Sequence, residues 1–126
     1  GSSWQCNVCQ AGPANPPGRV LNDLTVSKSG LNLLLLSWQA VVGSCTVTGY
    51  ELYRGNLPIA GTYSHDDINC DITSPITIDQ DTGSYYYLIV PKNITNEGSY
   101  GLTSSGTQIP QATTTPCSPQ NTTACN

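Results

Sequence analysis

The chain has 126 residues, with four basic against eight acidic side chains, a net charge of −4, six cysteines and no methionine. So little positive charge argues against nucleic acid or an anionic membrane surface as a partner. No stretch approaches the roughly 20 apolar residues of a membrane span, because Leu33 to Leu36 is a run of only four between polar neighbours. The length suits one sandwich-sized domain, and the even cysteine count in a chain this poor in charge reads as disulfides formed in an oxidising, extracellular or cell-surface setting.

Residues 1–17 contain Cys6 and Cys9, then Gly12-Pro13 and Pro16-Pro17. Proline lacks the amide donor, so this stretch reads as an extended N-terminal arm. From there to residue 111 short β-favouring runs alternate with turn residues. Val20, Leu24 and Val26 mark a first strand that stops near Ser29-Gly30. Leu31 to Val41 forms a second, with Leu34, Leu36 and Trp38 on one face and Leu33, Leu35 and Ser37 on the other. A strand apolar on both faces belongs at the centre of a sheet, or has its second face covered by an arm or a neighbour.

Thr46 to Arg54 is the third strand, its Val47, Tyr50 and Leu52 competing for the core. Leu57 to Tyr63 reads as an edge strand because Pro58 would spoil a central ladder. Ile76 to Ile78 follows, then a turn over Asp79 to Gly83. Ser84 to Pro91 alternates strictly, Tyr85, Tyr87 and Ile89 against Tyr86, Leu88 and Val90, and Ser99 to Ile109 supplies the last strand. Residues 112–126 are a Thr/Pro-rich C-terminal tail with Cys117 and Cys125. No amphipathic helix is found, so the expected fold is all-β, with about seven antiparallel strands between two arms.

Three segments carry a family resemblance: Leu36-Ser37-Trp38, then Val47 to Gly55 (VTGYELYRG), then Thr82 to Tyr87 (TGSYYY) followed by Ile89, Asn93 and Gly98. Over residues 18–111 the chain resembles a fibronectin type III domain of the bacterial, extracellular kind. The resemblance implies an immunoglobulin-like sandwich with Trp38 at its centre and Tyr85 as a tyrosine corner bonding backwards. The expected core is Trp38, Tyr50, Tyr85 and Leu36. No Arg-Gly-Asp is present, so integrin-type adhesion is not implied.

The cysteines fall into three pairs. Cys45 and Cys70, both inside the domain, read as a disulfide closing the intervening loop. Cys6 and Cys9 form a CxxC, but Gln10 in place of His removes c-type haem attachment, and no βαβ pattern supports thioredoxin-like chemistry. For Cys6, Cys9, Cys117 and Cys125, local bridges within each arm, bridges between arms or chains, and a shared zinc site all stay open.

His65-Asp66-Asp67 with Asp71 is the one cluster of catalytic residue types. Ser64 beside His65 is no triad, because neighbours on an extended chain point apart, and the cluster reads as a solvated loop with weak calcium potential. Asn93-Ile94-Thr95 and Asn121-Thr122-Thr123 match the N-glycosylation pattern, and both are expected in exposed segments. The tyrosines suit cross-strand packing better than a sugar-stacking platform.

The expected function is that of a non-enzymatic extracellular structural module, a subunit or repeat of a surface fibre, with no cofactor and no metal. Its expected partners are other copies of itself or other surface proteins. The alternative is a spacer or carbohydrate-binding module of a larger secreted enzyme.

Overall fold

The computed structural model describes residues 20, 24–41, 47–59, 63–93, 96–101, 103, 105–112 and 116–120. Strands β1 (Thr25–Lys28) and β2 (Leu33–Ser37) form a hairpin. Its turn needs two residues at positive φ, Gly30 at 115° and Asn32 at 62°, positions taken by the residue without a Cβ and by the polar residue that best tolerates left-handed geometry. Strands β3 (Gly49–Asn56), β4 (His65–Ile72), β5 (Ile76–Asp79) and β6 (Tyr85–Lys92) follow.

Two antiparallel three-stranded sheets result, ordered β1-β2-β5 and β4-β3-β6. As expected of a strand apolar on both faces, β2 is central. The sheets enclose a core of Leu36 and Trp38 from the first, Tyr50, Leu52, Ile72 and Ile89 from the second, and Val20 from the chain entering the sandwich. Trp38 meets Tyr50 edge to face, ring centroids 5.5 Å apart, an arrangement that suits the quadrupoles of two rings. Three expected core residues, Trp38, Tyr50 and Leu36, are buried.

Tyr85 corrects that list. It lies half-buried at the margin, its hydroxyl donating to Thr82 O at 2.8 Å and its ring carrying the Arg54 guanidinium 4.1 Å from the centroid. The backward bond expected of it is present, but its ring packs against Arg54 rather than Trp38.

Two expected strands differ. Leu57 to Ile59 is a bend, and residues 60–62 lie outside the described part. The edge position belongs instead to β4, which begins at His65 in what read as a solvated loop. A proline-containing run cannot offer a full row of donors, whereas HDDINCDI can pair on one side while its charged residues face water. Ser99 to Ile109 forms no strand among the described residues. Positive φ at Gly101 and Gly106 breaks the extension, and the segment turns back on itself, Ile109 N–H donating to Gly101 O at 2.9 Å. It lies across the outer face of the second sheet, where Tyr100, Ile109 and Ala112 pack with Tyr53 and Val90 in a second apolar cluster.

At Gly55 the strands flanking β3 leave no room for a side chain. A Cβ there would overlap the Tyr86 ring and the Ser64 carbonyl oxygen. Gly55→Ala is therefore expected to destabilise the fold by about 1–3 kcal/mol, the usual cost of overpacking, measured as a lower urea midpoint at unchanged m-value.

Candidate functional site

The chain contains two glutamates, and the fold brings both, fully buried, into one polar network beneath the C-terminal segment. Glu51 stands on β3 between Tyr50 and Leu52, which face the main core, so strand alternation turns it to the outer face beside Tyr53. Glu97 follows β6 and is held by backbone bridges to Lys92 and Gln120, its own N–H donating to Pro119 O at 2.8 Å.

Three donors converge on the Glu97 carboxylate. The Tyr53 hydroxyl donates to Oε1 at 2.6 Å, the Tyr100 hydroxyl to Oε2 at 2.5 Å and the Gln111 amide to Oε2 at 2.8 Å. Tyr53 Oη accepts in turn from the Cys117 backbone N–H at 2.9 Å. The Glu51 carboxyl lies 3.2 Å from Tyr53 Oη and is reached by the Ser118 hydroxyl at 3.5 Å. Gln111 also donates to Ser118 O at 3.1 Å.

Burial, a hydrogen bond with Glu97 and the charge of that neighbour push the Glu51 carboxyl up to about 9, against smaller opposing effects of Tyr53 and Lys92. At neutral pH Glu51 thus keeps its proton, because a charge beside Glu97 in a site without water is too costly. Burial raises the Tyr53 and Tyr100 phenols as well, keeping both as donors. Neither glutamate reaches solvent, and the pair braces the segment that covers it.

A second arm of the network surrounds His65, 1% exposed between Tyr53, Tyr63, Tyr86 and Tyr100. Pro110 O lies 2.7 Å from Nε2 and can only accept, so that nitrogen carries the proton, while Nδ1 lies 3.0 Å from Tyr86 Oη, whose own proton goes to Ser64 O. Burial lowers the imidazole below its usual range despite the Pro110 bond. The histidine that read as solvated is in fact enclosed, and Ser64 contributes its backbone, not its hydroxyl, to Tyr86. Asp66, Asp67 and Asp71 lie exposed along β4, Asp71 3.4 Å from Lys92 Nζ.

The cysteine pairing is a correction. Cys70 on β4 bonds Cys117, not Cys45, and Cys117 is thereby not a partner of Cys125; the two Cα atoms stand 5.7 Å apart across 47 residues. Packing of residues 97–120 over the outer face places Cys117 against β4. Asp67 converges with these two cysteines, the only such group of metal-ligand residue types among the described residues, but both sulfurs are spent in the disulfide. Cys6, Cys9, Cys45, Cys125 and Asn121 lie outside the described residues.

Asn93 also departs from expectation. It is 7% exposed, and its Oδ1 accepts the Asn96 N–H at 2.7 Å, so this sequon is not on an exposed segment. The tyrosines serve packing: Tyr50, Tyr53 and Tyr100 are buried, and the Tyr85 face is occupied by Arg54.

Sequence reasoning missed Glu51, Tyr53, Glu97, Tyr100 and Gln111. A usable signal was present in Glu51, an acid within an apolar-patterned strand. No family model, curated protein or solved structure matches the chain.

Proposed function

We propose that this chain is a non-enzymatic structural module of an extracellular or cell-surface assembly, a fibronectin type III-like sandwich joined to its neighbours through its terminal arms. The sheet order β1-β2-β5 and β4-β3-β6 is compatible with the first six strands of that family. The observation that carries the functional reading is the internal use of the two glutamates and the single histidine. His65, Glu51 and Glu97 are buried and hydrogen-bonded to the chain's own backbone and side chains, while a disulfide clamps the covering segment. Such bracing suits a part that bears load rather than one that opens to a substrate. The further cysteines at both ends of the sequence supply means of linking copies.

The test is size-exclusion chromatography with light scattering, together with electron microscopy, on the full chain over a wide concentration range. Concentration-dependent oligomers or filaments are the expected result. A chain that stays monomeric throughout and binds immobilised glycans would overturn this reading in favour of an accessory module.

A further inference from the structure

Among the described residues no strand pairs with the outer edge of β6, the last strand of the second sheet. Lys92 O accepts from Thr48 N–H and Ser84 O from Leu57 N–H, so even-numbered residues of β6 point their backbone at β3. Odd-numbered ones point away: Pro91 O accepts from Gly98 N–H. The chain therefore begins to pair with this edge at Glu97–Gly98, then leaves it to cover the outer face, as the buried Ser99 and Tyr100 record. Tyr85, Tyr87 and Ile89 are left directing three amides and three carbonyls towards an edge with no strand partner among the described residues.

Beside that edge the sandwich has an open side. Val26 on β1 pairs with Leu36 and so faces the interior, yet is 45% exposed. It lines a cleft of about 350 Å3 with Leu34, Tyr85 and Tyr87, rimmed by Gln80 and Asp81. Cleft and strand edge together are the two halves of a strand-addition site, the edge giving main-chain bonds and Val26 and Leu34 meeting alternate side chains between polar rims.

We propose that this cleft receives residues 4–8 of a second copy of the chain as an added strand along β6, a reading that rests on the structural role proposed above. Trp4-Gln5-Cys6-Asn7-Val8 is free of proline and alternates apolar with polar side chains, and no charged residue occurs before Arg19. Its length matches the five positions from Tyr85 to Ile89. A second copy is favoured over the chain's own arm by position. Val20 joins the core with Trp38 at one end of the sandwich, whereas the cleft lies at the other, beside the turn where Gln80 N–H donates to Asn32 O. The prolines Pro13, Pro16 and Pro17 in the intervening sequence favour a stiff connection, which suits reach to a neighbouring copy. The contact is head to tail and does not close on itself, so repetition builds a filament.

Trp4→Ser disables the donor and Val26→Lys the acceptor, the latter at a half-exposed position where the fold is retained. Each variant alone is expected to be monomeric, its self-association weakened at least ten-fold, with a thermal midpoint near wild type. Mixed, they are expected to form a 1:1 dimer, since one copy still offers its arm and the other its cleft. Assembly surviving both substitutions would sink this contact while leaving the structural role standing, whereas a wild-type chain that never associates sinks both. Monomeric wild type whose β6 amides lose hydrogen-exchange protection on Trp4→Ser would overturn the second copy in favour of the chain's own arm.

Discussion

Glu97→Ala is expected to cost about 3–5 kcal/mol, whereas Glu51→Gln at the other carboxyl of the same pair is expected to be neutral at pH 5 and stabilising above pH 7. Removing Glu97 leaves the hydroxyls of Tyr53 and Tyr100 and the Gln111 amide without their acceptor inside a dry network. Each orphaned donor costs about 1–3 kcal/mol, a large share of the 5–15 kcal/mol that separates a typical domain from its unfolded state. Gln at position 51 keeps the shape of a protonated Glu and still offers a donor to Glu97.

The pH dependence carries the sign of this difference. The Glu51 carboxyl titrates near 4.5 when unfolded and is pushed up to about 9 when folded. The native state therefore keeps a proton that the unfolded chain releases. Stability from this group is complete below about pH 4.5 and is lost as pH climbs to about 9, at up to about 1.4 kcal/mol per unit.

His65 acts in the opposite sense: its depressed folded value removes stability as pH falls below about 6.5. Urea midpoints between pH 7 and 9 isolate the carboxyl. Wild type is expected to weaken steadily across that window and Glu51→Gln to hold level. Parallel slopes for the two proteins would show that Glu51 holds no proton in the native state.

Cys117→Ser, or reduction of the Cys70–Cys117 bond, is expected to lower stability by about 4 kcal/mol, from the entropy of a 47-residue loop in the chain-entropy model. The loss should also be local in its first effects. The bond anchors the end of the segment whose Cys117 N–H, Gln111 and Ser118 join the buried network. Hydrogen exchange on the variant is expected to speed up first over residues 97–120 and the outward face of β3, and least at Leu36 and Trp38. A uniform rise across both sheets would mean that cover and sandwich unfold as one unit.

Legibility in the sequence followed the range of the interactions involved. The alternation of Ser84 to Pro91 placed β6 within a residue of its observed limits and sorted its faces correctly, because side-chain direction on a strand is a property of adjacent residues. Leu34, Leu36 and Trp38 were assigned to the core face for the same reason. Position 51 shows the limit of that reasoning. Alternation turns Glu51 away from the sandwich core, and a two-layer fold would leave it in water, but residues 97–120 form a third layer over that face. His65 fails in the same way, since its burial comes from Tyr86, Tyr100 and Pro110, the last 45 residues further along the chain.

By itself, then, the order of residues indicated antiparallel strands and which of them are apolar on which side, since hydrophobic period and turn chemistry act over a few positions; the place of Trp38 between two sheets followed from the family resemblance, and the structure buries it there. Tertiary structure alone decided that Cys70 finds Cys117, that two glutamates are buried in one network, and that Ser99 to Ile109 covers a face instead of completing an edge. Each of those depends on where a segment distant in the chain comes to rest, and that is governed by the competition of many partners for the same buried surface.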